Sequence, residues 1–209
     1  MSEASQSSSE CVPHRDLRVG LAYRRTIARV PRYVLPNGVS HVFARGNRYQ
    51  PIFLYQSDAY EFLDRVAEAF GRFGLVLMTY CLMPTHVHFV VRGSQPDLSK
   101  TTQRLFGGYA QWFNREHGYR GHLFGGRFGA REIQNEHYLF EAVRYVVLNP
   151  VRASLCAHPR EWRWSSYGAT VGVRRKPAFL DLGWMTEAIS PVGFAAYVDE
   201  ALANQVAAA

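Results

Sequence analysis

Along the chain the apolar positions switch between a period of two and a period near 3.6, and the switches mark out the predicted elements. Val39 to Ala44 alternates and reads as a first strand, after the turn signal Pro36-Asn37-Gly38 and before Arg45-Gly46-Asn47-Arg48. Ser57 is a suitable N-cap, and Asp58 and Glu61 follow in the first turn of a helix. Phe62, Val66 and Phe70, flanked by Leu63 and Ala67, form its buried stripe to about Phe73, where Gly74 closes it. Leu75 to Met83 is a second strand. Pro84-Thr85 leaves room only for a tight turn into a third strand, His86 to Arg92, so these two pair as an antiparallel hairpin. Asp97 or Ser99 caps a second helix running to about His117, with Leu105, Tyr109, Trp112 and Phe113 on its buried face. The glycine-rich stretch Gly118 to Gly129 is a loop, and Arg127 to Ile133 a fourth strand. Asn135 caps a third helix, Glu136 to Leu148, which Asn149-Pro150 is expected to end, because a residue before proline disfavours the helical region.

Strand, helix, strand, strand, helix, strand is the order of an α+β, ferredoxin-like split βαβ fold with an antiparallel sheet, here carrying one extra C-terminal helix. In that topology the first and third strands are central neighbours. Residues 1 to about 12 are rich in Ser and Glu and are expected to be disordered. Arginines 15, 18, 24, 25, 29 and 32 then form a basic arm. The organisation expected is an arm over 1–30, a main domain over 31–168 and an extension over 169–209. Trp162 to Tyr167 reads as a clasp holding the C-terminal segment on the domain, and no internal repeat is present.

The third strand begins His86-Val87-His88. Two imidazoles two residues apart point to one face, while Val87, Phe89 and Val91 point to the other. Paired neutral imidazoles suit a divalent metal; a pair of hydrogen-bonded sheet histidines is the plainer alternative.

The formal net charge of +7 favours a polyanionic partner, the more so because every basic residue except Lys100 and Lys176 is arginine. Cys11, Cys81 and Cys156 are scattered and odd in number, which excludes a disulfide framework and a Cys-based zinc site and fits a reducing compartment. The N-terminus has no secretory pattern, and no uncharged apolar run reaches membrane-spanning length. A cytoplasmic protein with no membrane partner is therefore expected.

On the third helix Tyr138, Tyr145 and Asn149 fall at i, i+7 and i+11, nearly on one face, with Glu141 between them. They are either core aromatics with a helix stop, or a hydroxyl and an amide presented to the point held by the histidines.

Together these residues resemble a known family. "YCLMPTHVHFVV" (80–91) is similar to the HUH motif of single-tyrosine transposases. "HVFARGNRYQPIF" (41–53), "FNREHGYRGHLFGGRF" (113–128), "YVVLNPVRA" (145–153) and "WRWSSY" (162–167) resemble the REP-associated tyrosine transposases, relatives of the small insertion-sequence transposases acting on single-stranded DNA. The resemblance spans roughly 31–168, with the motifs in order. It implies a transposase or endonuclease that nicks and rejoins single-stranded or hairpin (repetitive palindromic) DNA through a 5′-phosphotyrosine. Tyr145, in its Tyr-x-x-x-Asn-Pro context, would be the nucleophile, with Tyr138 as the rival on the same face. His86 and His88 would bind Mg²⁺ or Mn²⁺, and Asn149 would offer a third, oxygen ligand. Free tyrosine has a pKa near 10, so the site must help the phenolic proton leave. A nucleoid-associated monomer or homodimer is implied.

His41 and Arg45, on the first strand, can approach this site or the DNA backbone, or pack at the sheet edge. Arg45, Arg48, Arg120, Arg127 and Arg131 are the DNA-binding candidates. The last three flank a loop whose aromatics, if exposed, would stack on bases while the arginines hold phosphates; a solvated loop is the alternative. A histidine-triad hydrolase is a poor reading, because Val90 stands where a third histidine is needed. The serious alternative is a domesticated, noncatalytic DNA- or RNA-binding ferredoxin-like module, which would use the same charge and sheet but gives no reason for His86, His88 and Tyr145 to occur together.

Overall fold

The computed structural model describes residues 38–207. The expected Ser/Glu-rich segment and the basic arm lie outside the described residues. Four strands, β1 (Val39–Arg45), β2 (Val76–Met83), β3 (His86–Arg92) and β4 (Gly129–Ile133), form one sheet in the order β2-β3-β1-β4, with every pair antiparallel. This is the ferredoxin-like arrangement, with β1 and β3 at the centre. The helices are α1 (Gln56–Phe73), α2 (Gln95–His117), α3 (Glu136–Arg152), α4 (Tyr167–Thr170), α5 (Gly183–Ala188) and α6 (Pro191–Ala207).

Alternation along the strands divides the interior into two cores, one on each face of the sheet. Val42, Ala44, Val87, Phe89 and Val91 meet Phe62, Val66 and Phe70 of α1 and Leu105 and Tyr109 of α2. Phe62 is the aromatic centre, its ring edge-on to Tyr109 at 4.9 Å. On the opposite face Met78, Cys81, Met83 and Val90 meet Val143, Val146 and Val147 of α3, with Phe194 and Val198 of α6 behind them. A register shift between Leu77 and Thr79 lets β2 send Leu77 and Tyr80 to the same side.

Several boundaries differ from the sequence expectation, each for a local reason. Helix α1 starts at Gln56 rather than after Ser57, because the Asp58 carboxylate reaches back to accept the Leu54 and Tyr55 amides at 2.7 and 3.0 Å. Helix α2 is capped by Ser94 instead of Asp97 or Ser99, and Pro96 sits in its first turn, where a missing N–H costs nothing. β4 begins at Gly129, not Arg127. The largest difference is in α3, which continues through Asn149-Pro150 to Arg152. Proline's fixed φ is itself helical, and this close to the C-terminus only one intrahelical bond is forfeited. The Asn149 side-chain amide adds a bond to the Tyr145 carbonyl at 2.8 Å.

The Trp162–Tyr167 block covers the outer edge of β2. Leu82 N–H donates to the Trp164 carbonyl and Ser166 N–H to the Tyr80 carbonyl, while the Trp162 indole donates to the Leu82 carbonyl. An edge strand that would otherwise present open hydrogen-bonding groups is thereby closed.

Candidate active site

The face of the sheet that carries α3 also carries the histidines. In an antiparallel ladder directly opposed residues share a face, and here Phe43 opposes His88, Arg45 opposes His86 and Arg131 opposes His41. Alternation then puts His41, Phe43, Arg45, His86, His88 and Arg131 together on one side. Helix α3 lays Val143, Val146 and Val147 into the core of that side, which turns Tyr145 outward, 42% exposed, at the margin of the packed region. Its ring centroid lies 5.7 Å from both His88 and His41, edge-on to each. The rings of His86 and His88 are 5.0 Å apart and perpendicular.

The hydrogen bonds of the histidine pair sort their nitrogens. His88 Nδ1 is 2.9 Å from His41 Nε2, and His86 Nδ1 is 3.0 Å from Thr85 Oγ1. Among the described residues the Nε2 atom of each has no hydrogen-bond partner, and neither is among the buried orphaned atoms. Burial holds all three imidazoles neutral. It pushes His41 and His86 down to about 4, with Arg45 adding to the effect on His86, and His88 down to about 2, with His41, His86 and Arg45 adding to it. Two neutral imidazoles with matching free nitrogens are a fitting donor pair for a divalent cation. Among the described residues no cluster of three or more His, Cys, Asp or Glu side chains is arranged to hold a metal ion, so further ligands would be an amide, water or substrate oxygens. Asn149 is almost buried and spends its amide N–H on its own helix, which leaves Oδ1 as the atom it can offer.

Tyr138, the rival nucleophile, is 55% exposed and lies two helical turns from Tyr145, with His137 as its ring neighbour. Glu141 joins α3 to α6 by accepting from the Tyr197 hydroxyl at 2.8 Å. A basic residue that sequence reasoning missed does face the site. The Arg152 guanidinium sits 5.0 Å from the Tyr145 ring centroid. The available signal was spacing, since Arg152 is seven residues after Tyr145 and so two turns along the same face. Burial lowers both Arg152 and Arg131 from the usual arginine range, and the Tyr145 side chain acts in the opposite direction on each.

The remaining candidates separate. Arg45 and Arg48 are exposed beside the β1–α1 connection, and Arg120 and Arg127 are exposed on the 118–129 loop. That loop is largely exposed but tethered. Asn47 N–H donates to the Leu123 carbonyl and Gly125 N–H to the Arg45 carbonyl, which ties it to the end of β1. Its aromatics divide: Tyr119 is exposed, whereas Phe124 and Phe128 are turned onto the α2-side core, Phe124 packing 5.1 Å from Phe106.

The family described as IS200-like transposase matches residues 39–148. Among solved structures, a REP-associated tyrosine transposase bound to a REP hairpin superposes with a TM-score of 0.56 at 15% identity, covering 75% of this chain and 93% of the other. At that identity the likeness is one of fold. A candidate transposase of Deinococcus radiodurans aligns with a TM-score of 0.39 at 17% identity over 59% of this chain and 95% of its own. No curated protein sequence matches.

Proposed function

This chain belongs to the IS200-like transposase family, and from that premise we propose that it nicks and rejoins single-stranded or hairpin-bearing DNA through a covalent bond between Tyr145 and a 5′ phosphate. The observation that carries this reading is the position of the Tyr145 ring, exposed and 5.7 Å from His88, over the same face as the neutral His86–His88 pair.

Tyr145 Oη attacks the scissile phosphorus. An O–P bond to the tyrosine forms, the bond from phosphorus to the 3′ oxygen breaks, the phenolic proton is given up and the leaving 3′ oxygen takes up a proton. One phosphoester replaces another, so a 3′ hydroxyl can attack the phosphotyrosine in the reverse direction and join strands without an external energy source. His86 and His88 would hold Mg²⁺ or Mn²⁺ through Nε2, with Asn149 Oδ1 as a further ligand, and the bound ion would supply Lewis-acid polarisation of the phosphate. Arg152 and Arg131 offer positive charge where negative charge accumulates on the phenolic and phosphoryl oxygens. Arg45, Arg48, Arg120 and Arg127 face the DNA backbone. A chromosomal DNA substrate puts the protein in the cytoplasm at the nucleoid. The described helices include none long and apolar enough to cross a membrane.

The test is incubation with end-labelled single-stranded DNA carrying an imperfect palindrome, with Mn²⁺, followed by a denaturing gel. A protein–DNA adduct is expected from the native chain and from Tyr138→Phe, and none from Tyr145→Phe or His86→Ala/His88→Ala. An adduct that persists in Tyr145→Phe overturns the nucleophile. DNA binding with no adduct from the native chain would leave the noncatalytic ferredoxin-like module as the function.

A further inference from the structure

The segment that joins β1 to α1 contains two consecutive non-glycine residues in the left-handed region, Arg48 at φ 52° and Tyr49 at φ 61°. Turns of this hand ordinarily take glycine or asparagine, since a side chain there crowds the backbone. The strained pair is held in place from three directions. Gly46 N–H donates to the Thr85 carbonyl and Ile52 N–H to the Pro84 carbonyl, both at 2.8 Å, so the turn is fastened to the hairpin that launches His86. Asn47 N–H donates to the Leu123 carbonyl at 2.8 Å, and Gln50 N–H closes the turn on the Asn47 carbonyl at 3.0 Å. Even Gly46 has no slack, because a Cβ there would stand 2.2 Å from the Gln50 carbonyl oxygen.

What this rigid turn displays is a bare ring. Tyr49 is 70% exposed, the most exposed aromatic side chain among the described residues, and the Arg45 guanidinium lies 5.0 Å from its centroid. Core packing does not account for the residue, and its backbone conformation is one that tyrosine disfavours. Arg45 opposes His86 across the ladder, so the ring stands one side chain away from the histidine pair.

We propose that Tyr49 is a stacking shelf for an unpaired base of the DNA strand that crosses the histidine–tyrosine site, with Arg45 and Arg48 on the flanking phosphates. The inference rests on the reading of the chain as a single-strand DNA nuclease. A base has a π-face whatever its identity, so the shelf grips the strand without reading its sequence, and the cation beside the ring strengthens the stack. Backbone strain retained at a site where no core contact needs it marks a functional display. The net charge of +7 and the exposed Arg48, Arg120 and Arg127 favour nucleic acid over a protein partner at this surface.

The experiment measures the affinity of the full chain for a fluorescein-labelled, random-sequence single-stranded 20-mer by anisotropy at several salt concentrations, with thermal melts of the same variants. Asparagine tolerates the left-handed region, so Tyr49→Asn is expected to weaken binding about 5- to 100-fold with the salt slope unchanged, while its Tm stays level or rises. Tyr49→Phe retains native affinity, and Arg48→Gln reduces the salt slope by about one. Tyr49→Asn binding within twofold of the native chain, or losing affinity only in step with a fall in Tm, overturns the shelf and leaves a protein partner as the occupant. A native chain that binds no single-stranded DNA overturns the functional reading as well, whereas native binding and adduct formation with an unaffected Tyr49→Asn overturn the shelf alone.

Discussion

If His88 is a metal ligand as proposed, His41 governs which of its nitrogens is available. The two rings share one hydrogen bond, His41 Nε2 to His88 Nδ1 at 2.9 Å, and its polarity is coupled to the tautomer. If His88 Nδ1 carries the proton and donates to His41, then His88 Nε2 has a lone pair for the metal. If His41 donates instead, a neutral His88 carries its proton on Nε2 and that nitrogen cannot ligate. Metal binding at the proposed site would select the first arrangement, and His41 would then act as a positioning residue, the role that an outer partner plays for a ligating imidazole. Removing such a partner commonly costs 10- to 100-fold in metal affinity, about 1.4–2.7 kcal/mol. His41→Ala also leaves His88 Nδ1 without its partner in a nearly buried position, a further cost of about 1–3 kcal/mol to the fold. The expected outcome is a 10- to 100-fold weaker Mn²⁺ isotherm for His41→Ala by calorimetry, with partial recovery in His41→Gln, whose amide oxygen reaches the same point. Nitrogen-15 shifts of the Mg²⁺-loaded protein should report His88 protonated at Nδ1. Mn²⁺ affinity within twofold of native in His41→Ala, together with an Nε2-protonated His88, refutes the reasoning.

Three further outcomes follow from particular contacts. Asp58 is buried and accepts from Leu54 N–H, Tyr55 N–H and His117 Nε2–H, so Asp58→Ala orphans three donors and should cost about 3 kcal/mol, a Tm drop of roughly 6–12 °C in a melt. A Cβ at Gly129 would stand 2.3 Å from the Phe43 ring, so Gly129→Ala should destabilise by about 1–3 kcal/mol and Phe43→Leu should rescue part of that loss; a strictly additive double mutant contradicts the contact. Burial pushes Tyr80 up to about 12, so the folded chain keeps that proton while the unfolded chain releases it above about pH 10. Stability is then fully present below pH 10 and falls by about 1.4 kcal/mol per pH unit as pH rises toward 12, and urea melts of Tyr80→Phe should show a correspondingly shallower alkaline decline.

The fold was readable because each element announces itself locally. The alternation of β1 and β3, the stripe Phe62–Val66–Phe70 and the two-residue link Pro84-Thr85 leave little choice of hairpin, helix face or strand order. Element ends were less readable where a side chain reaches across a boundary, as Asp58 does to start α1 two residues early, or where proline near a helix end costs too little to stop it, as at Pro150. For the site, spacing alone put His86 and His88 on one face and Tyr145 on the helix that follows the sheet.

Periodicity determines which face a residue takes, and tertiary structure alone determines what stands opposite it. Nothing local to His41 shows that it will bond His88, because that contact requires β1 and β3 to pair in a register set by the whole sheet. The ring contacts of Tyr145 likewise needed the Val143, Val146 and Val147 face of α3 to be committed to the core first. Tyr49 is the extreme case. In the chain it is one tyrosine in a polar turn, and only the bonds from the Pro84-Thr85 hairpin and the Leu123 carbonyl hold it in a conformation it would not adopt alone. Local preference is a matter of about a kcal/mol per residue, and several long-range hydrogen bonds acting together outweigh it.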